Sequence, residues 1–480
     1  MSTVKVPLLI GTSGGTPIAA APQRVYNYYS VKDNTSKEGV VWKNTPGWDT
    51  WTSVTNGAGR KGIVFQDNLY IVSGKKVTKI TNASSGKLRS DIGTITTTTG
   101  QVNMAQDGVS LMITDGHQMT RWDGSTFSAV SIPFPNPTGI VAHDGFFVCL
   151  EGGSGRFWIS DKFDGSTWSS LQFATAEDKP DNIQALGSDR TLFIFGTETT
   201  QPYVNDGQAF PFAPNQQGRM IYGMEGQTWA QLDNTSFWLA RSKSGGLKVV
   251  KANGYTPQAV STPSLENEFS LLSRTDDAYA DSIMWDGHEW YILNFPTAKR
   301  TYVFDTNGDW FQWESWDDEA ADFVGHPALD FIYFDGSYLF LDGTTNIKEL
   351  KRDVYKHGDD VMSSVFITGV QHVDEQRVFL RNLIFDMAAG VGETATMEMA
   401  ISRDAGRTFE WLEPKGLGAI GDYRHRVQWH HLGSGHNVVL KSRITAEVER
   451  QIIRGVIDVD VKTSYLQRRN SRAGIPAAPQ

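Results

Sequence analysis

A short unit recurs down most of this chain: an apolar strand, a two-residue turn built on Asp or Asn, and a second apolar or aromatic strand. It first reads as residues 63–65, Asp67-Asn68, then 69–72. Further copies carry their turns at Asp107-Gly108, Asp144-Gly145, Ser188-Asp189, Asp233-Asn234, Asp286-Gly287 and Asp335-Gly336. Asp, Asn and Gly tolerate the positive φ that a tight hairpin demands, so each copy predicts a hairpin. Seven copies whose turns fall roughly 37 to 53 residues apart match the spacing of β-propeller blades. Second hairpins are visible in 119–130, around Asp123-Gly124, and in 302–313, around Asn307-Gly308. Two hairpins per repeat give the four strands of a blade. Six or seven blades are open, because the first and last repeats can share strands to close the ring.

The expected fold is all-β: a propeller followed by a C-terminal antiparallel sandwich. Residues 1–60 are irregular and read as an arm leading into the first blade. Residues 61–355 hold the propeller. Past a polar junction at Lys356-His357-Gly358-Asp359-Asp360 come longer strands at 364–370, 378–387, 394–402, 426–429, 437–445 and 455–461. Their turn signals fit a sandwich over 356–462. Residues 463–480, with Arg468, Arg469 and Arg472, form an extended tail that cannot bury a core. Helices are scarce, and the best candidates are short, such as 317–321.

The 480 residues are 39% hydrophobic and 20% charged, an ordinary globular balance, and 15 Trp, 15 Tyr and 25 Phe favour strands. A formal net charge of −10, with no basic block before the tail, argues against tight DNA binding. It suits a surface that DNA slides past. The single cysteine, Cys149, excludes an intramolecular disulfide framework and reads as a small buried hydrophobe. The first 21 residues lack an export or membrane-spanning pattern, so no membrane association is expected.

Several patterns invite a chemical reading. Ser402-x-Asp404-x-Gly406-x-Thr408-Phe409 matches the Asp-box of sialidase-type propellers. It reads as a structural turn, in which Asp404 and Thr408 bond local backbone and Phe409 packs below. It does not by itself supply a paired acid and nucleophile. Gly11-Thr12-Ser13-Gly14-Gly15 fits a nucleophile elbow, but Pro17 and Pro22 interrupt the helix that should follow. Of His425, His430, His431 and His436, the adjacent pair 430 and 431 should point to opposite faces of a strand, which disfavours one shared ion. Asp305, Asn307 and Asp309 open like a calcium loop, yet Trp310 and Trp316 stand where Gly and Glu are needed. Gly86-Lys87 and Gly74-Lys75 lack the rest of a phosphate loop. Arg241, Arg274, Arg300 and Arg403 are too scattered to read as a glycan-binding cluster. Trp42, Trp48, Trp51, Trp310, Trp313 and Trp316 are assigned to cores, with subunit interfaces as the other reading. No catalytic residue, metal or cofactor is expected.

The chain resembles the packaged-DNA stabilisation proteins of short-tailed bacteriophages, also called tail hub, tail accessory or nozzle proteins. The resemblance lies first in Gln23-Arg24-Val25-Tyr26-Asn27-Tyr28-Tyr29, Thr45-Pro46-Gly47-Trp48 and Gly59-Arg60-Lys61-Gly62. In the middle it lies in Asp178–Ala185 and Leu192–Thr200, and it is sharpest in Ser402–Phe409 and Gly421–Trp429. Gln201 departs from the pattern, where Glu is more usual. The resemblance implies a structural virion protein, made in the host cytoplasm, that forms a hexameric ring below the portal and adaptor. The ring would retain packaged DNA without holding it tightly and would carry tailspikes or fibres and a terminal plug or needle. The alternative reading is a carbohydrate-active or glycan-binding propeller of a phage tail.

Overall fold

The computed structural model describes residues 3–461 apart from 8–23, 34–38, 55, 85, 176–181, 216–217, 233, 318, 320–321, 371–376 and 393. The tail from 463, the elbow-like Gly11–Gly15, Gln23, Asp178 to Asp181 and Asp233 therefore lie outside the described residues. The chain divides into two compact units, Pro46–Asp360 and Met1–Thr45 with Val361–Gln480.

The first unit is a propeller, with seven four-strand positions among the described residues. Blade 1 runs Gly59–Phe65, Asn68–Ser73, Lys76–Ala83 and Gly86–Thr94. Blades 2 to 4 occupy Asn103–Ala129, Pro137–Thr175 and Ile183–Pro214, and blades 5 and 6 span Tyr222–Ala259 and Tyr279–Gln312. The first strands of successive blades are neighbours, except that blade 5 meets blade 4 through Tyr222–Met224 against Leu192–Gly196 and Thr200–Asn205. The first strand of blade 7 neighbours that of blade 1, so the ring is closed.

Two-sided burial explains the apolar runs. In Asn68–Ser73, Leu69 and Ile71 pack towards blade 7, while Tyr70 and Val72 pack towards blade 2. In blade 3, Phe147 and Cys149 face blade 2, while Val148 and Leu150 face blade 4. A strand covered on both faces loses its alternation and reads as continuous apolar sequence. Cys149 is fully buried, and burial raises its thiol pKa well above the ordinary value.

Three turns take the two-residue form that their residues predict, whereas those of blades 2 and 4 are longer, at 107–110 and 189–191. Asp144, Asp286 and Asp335 have φ of 50°, 53° and 50°, each followed by a glycine at 81–82°. Both central positions are left-handed, the geometry that matches the twist of paired strands. In blade 1 the two turn residues are Gln66 and Asp67, one position earlier than the sequence pattern placed them.

The structure departs from the sequence-based boundaries at the start of the chain. Gly47–Ser53 is not an arm: it is the fourth strand of blade 7, antiparallel to Asn346–Lys351 with Trp48 opposite Leu350. Blade 7 otherwise comprises Asp330–Phe334, Ser337–Leu341 and Asn346–Lys351. A strand from the beginning of the unit thus closes its last blade. Lys87 and Arg89 of blade 1 reach across to Trp51 O and Thr52 Oγ1.

Earlier still, Arg24–Tyr26, Tyr28–Lys32 and Val40–Asn44 belong to the second unit, a sandwich of two sheets. One sheet orders Tyr28–Lys32, Val40–Asn44, Ile452–Val461, Val378–Met387 and Val427–Gly435, with Thr3–Pro7 also on Ile452–Val461. In the other, Arg24–Tyr26 is followed by Ser363–Ile367, Val439–Thr445 and Thr396–Ser402. Trp42, fully buried against Phe366 at 5.8 Å, ties the N-terminal strands into the core.

One helix, Pro263–Leu271, was not anticipated. Thr262 caps it, Pro263 opens it, and Leu265 and Phe269, one turn apart, are its buried pair. Nine residues give too short a periodic signal to stand out. The proposed helix at 317–321 is instead flanked by paired strands, Glu314–Asp317 and Asp322–Gly325, with 318, 320 and 321 outside the described residues.

Candidate functional site

The Asp-box is a closed turn. Ser402 Oγ donates to Asp404 Oδ1 at 2.6 Å and accepts from Gly406 N at 2.7 Å. Asp404 Oδ1 also accepts from the backbone N–H of Arg407 and Thr408, at 3.0 and 2.9 Å, while Thr408 Oγ1 donates to Oδ2 at 2.7 Å. These donors, led by the Ser402 and Thr408 hydroxyls, hold the Asp404 carboxyl far below the usual range. Ala405 and Gly406 take φ of 61° and 88°, and Phe409 is half-buried with Lys441 Nζ 5.8 Å from its ring. The side-chain oxygens of Ser402, Asp404 and Thr408 are all engaged within this loop.

The carboxylate pair most like an acid–nucleophile couple is one that the sequence reading missed. Asp281 and Asp330 stand on the first strands of blades 6 and 7, with Lys61 on the first strand of blade 1. Lys61 pairs with Asp330 Oδ1, and Gly62 N donates to Oδ2 at 2.8 Å. Asp281 accepts from Phe331 N at 2.7 Å and Ser282 N at 2.8 Å. Burial, and then Asp330, raise the Asp281 pKa to about 6 against the pull of Lys61. Burial works to lower the Lys61 pKa, but Asp330 and Asp281 outweigh it and leave it raised. Each carboxylate bonds the backbone of the following blade, so the pair ties three blades together. A signal existed in Gly-Arg-Lys61-Gly and Leu-Asp330-Phe, charges inside apolar strands, but only the ring brings them into contact.

Other polar groups do the same work at the remaining blade junctions. Gln66 Nε2 donates to Gly108 O at 3.2 Å, Asn103 Nδ2 to Thr138 O at 2.6 Å, and Ser188 Oγ to Ala142 O at 2.8 Å. Gln227 Nε2 donates to Gln184 O at 3.0 Å, and Ser282 Oγ to Gln231 O at 2.7 Å. Ser188 also lies 3.0 Å from His143 Nδ1, with Asp144 Oδ2 3.8 Å from His143 Nε2. This resembles a nucleophile–base–acid set, but the hydroxyl proton is committed to the Ala142 carbonyl, and 3.8 Å is beyond hydrogen-bond reach.

The calcium-like loop is also internal. Asp305 Oδ2 lies 2.5 Å from His288 Nδ1, its Oδ1 accepts from Asn307 N at 3.0 Å, and Asp305 is 1% exposed. The four arginines are separately engaged, Arg241 with Glu225, Arg274 with Asp276, Arg300 with Glu314 and Asp322, and Arg403 with Glu410. His430 and His431 are both exposed, contrary to simple alternation, because His431 (φ 55°) sits in a bulge where the register with Leu380 and Asn382 shifts. Among the described residues no cluster of three or more His, Cys, Asp or Glu side chains could hold a metal. No helix there is long and apolar enough to cross a membrane. Trp42, Trp48, Trp310 and Trp313 are buried in the chain's own cores, whereas Trp51 and Trp316 are half-buried.

Fold and geometry define a class: a seven-bladed propeller joined to a β-sandwich, whose reactive-looking groups are bound into turns and blade junctions. The family model described as bacteriophage P22 Gp10, beta-propeller, matches residues 5–355, and that described as bacteriophage P22 Gp10, beta-sandwich, matches 363–460. The chain belongs to this family, the DNA-stabilisation or tail hub proteins of short-tailed phages. No curated protein matches it. Among solved structures it is similar to the WD40 beta propeller domain of Doa1, at 10% identity over 64% of this chain and 97% of that one (TM-score 0.39). It is also similar to virginiamycin B lyase from Staphylococcus aureus, at 13% identity over 62% and 97% (TM-score 0.41). A third is the Pan2 WD40 domain of Neurospora crassa, at 8% over 64% and 94% (TM-score 0.42). Likeness at this level carries no functional weight.

Proposed function

We propose that this protein is a non-catalytic wall of the phage tail. Copies of it, six by the family resemblance, form a ring below the portal and adaptor, and the ring retains packaged DNA until ejection. Tailspikes or fibres and a terminal plug attach around it. The observation that carries this reading is the match of both halves of the chain to one tail-protein family. Two physical features support it. The net charge of −10 disfavours adhesion of DNA to the wall. The carboxylates and hydroxyls that could have reacted are instead consumed in holding blades together.

The experiment is reconstitution of the purified full chain with the portal–adaptor complex of its phage. The expected result is a stable ring-bearing particle that leaks less DNA than the adaptor complex alone. Failure to bind adaptor, spike or plug proteins, or turnover of host surface glycan by the purified chain, would contradict the proposal.

A further inference from the structure

Blade 3 exposes two large apolar side chains on one loop. Its loop between the strands Arg156–Ile159 and Phe173–Thr175 exposes Phe163 (71%) and Leu171 (84%). Phe163 has φ of 59°, a left-handed conformation that bulky side chains rarely adopt. It is held there by its own N–H, which donates to Gly145 O at 2.6 Å. Gly145 also makes the room, since a Cβ at that position would lie 2.5 Å from the Phe163 ring. Strain of this kind persists only when the surroundings enforce it, and it gathers where a side chain must be presented.

The patch continues into blade 4. Gln172 Nε2 donates to Ala209 O at 3.2 Å, next to the half-buried Phe210, and Asn205 Nδ2 donates to Asp144 Oδ2 at 3.3 Å, beside exposed Val204. Around this apolar area stand Asp144, Asp161, Asp164 and Asp206, against the cations Lys162, Arg156 and Arg121, the last of which acts on Asp164. An exposed apolar area with an acidic rim marks a contact surface for a partner with apolar anchors and positive charge.

The sandwich unit offers such a partner surface. The stretch 418–426 exposes Ile420 (83%) and Tyr423 (80%). It is shaped by Gly418 and Gly421, both at φ 93°, and pinned by Gly421 N to Gly390 O at 3.3 Å and by His425 Nε2 against Gly416 O at 2.9 Å. Arg424 is exposed and forms no ion pair among the described residues, while Arg426 is shared with Asp386 at 3.2 Å.

We infer that the blade 3–4 patch receives the 418–426 loop of a second copy, with Ile420 and Tyr423 against Phe163 and Leu171, and Arg424 facing the aspartates. The two surfaces differ, so the contact is heterologous, the kind that closes a ring when repeated about one axis. This inference rests on the ring reading given under the proposed function.

The test uses two single-cysteine chains, Leu171→Cys and Tyr423→Cys, purified separately, mixed, and treated with a bismaleimide. Buried Cys149 leaves the unsubstituted chain as a blank. The expected product is a covalent pair containing one chain of each kind, formed in the mixture and by neither chain alone. In parallel, Arg424→Glu is expected to weaken self-assembly tenfold or more, and Asp161→Arg in the same chain to restore much of it. Particles of ring mass that give no mixed product, or an unchanged assembly concentration for R424E, would overturn the inference and leave the ring reading standing. Cross-linking within one chain of a Leu171→Cys/Tyr423→Cys double variant, or occupation of the patch by a different tail protein, would also overturn it. Wild-type chains that stay at single-copy mass with the adaptor present would overturn both.

Discussion

At the scale of single residues, the informative groups are ionisable side chains placed where water does not reach. Glu314 is fully buried, and burial outweighs Arg300 to raise its pKa to about 8. Its folded value lies above the unfolded one, so its contribution to stability is full below about pH 4.5 and is lost as the pH rises through about 8. Glu314→Gln should therefore melt above the wild type at pH 9, by a few degrees, and lose that advantage near pH 5. Equal pH dependence for the two proteins in calorimetry would refute this. Asp330 is a second case. Asp330→Ala leaves the Gly62 N–H without its acceptor and Lys61 with only Asp281 as a counter-charge. The expected cost is about 2–3 kcal/mol, below the usual range for a buried pair because Lys61 is part-exposed and keeps that neighbour. Urea titration of the variant against Lys61→Met/Asp330→Ala measures it, and the double variant should recover part of the loss. Neither group was legible in the sequence, since a charge in an apolar strand looks the same whether its partner is three residues away or, as with Asp330, 269 away.

At the scale of elements, the hairpins were the legible part. Asp-Gly at 144, 286 and 335 sets two left-handed residues in a row, and local chemistry suffices to read that. The fourth strand of blade 7 was not legible, because Gly47–Ser53 lies some 300 residues from the strand it pairs with. Its fit depends on Trp48, stacked on His357 at 3.8 Å and edge-on to His326 at 4.6 Å and Phe340 at 5.3 Å. Trp48→Ala should cost about 3–5 kcal/mol and open the ring at its closure, read as faster hydrogen exchange in 47–53 and 346–351 before the rest of the propeller. Uniform exchange across the blades would argue against a latch. Blade 5 shows a different device: its first-strand position is split into Tyr222–Met224 and Ala230–Leu232, both paired with Thr235–Ser242. Gly226, at φ 65°, turns the chain between them, and a Cβ there would lie 2.1 Å from Ala278 O. Gly226→Ala should destabilise by about 1–3 kcal/mol in thermal melts, whereas an alanine at Gly254, with open space around it, should cost less.

At the scale of the whole molecule, the seven-fold repeat was visible from sequence spacing, but the partition of the chain was not. Residues 24–45 read as an irregular arm because their strands are short and their partners, such as Ser363–Ile367 for Arg24–Tyr26, come from the far end of the chain. The propeller segment 46–360 expressed alone should fold cooperatively, whereas 361–461 without the N-terminal strands should aggregate, as judged by circular dichroism and size exclusion. The side-chain bonds of the Asp-box turn were readable because they are local, joining Ser402, Asp404 and Thr408 within one loop, whereas its backbone bond from Ala405 N to Asn437 O comes from a separate segment. What the two units build together is the account's central claim, and the mass of the purified full-length particle, read by native mass spectrometry with the adaptor present, tests it most directly. The account predicts a closed assembly of several identical copies, six by the family resemblance. A single copy at every concentration would contradict it.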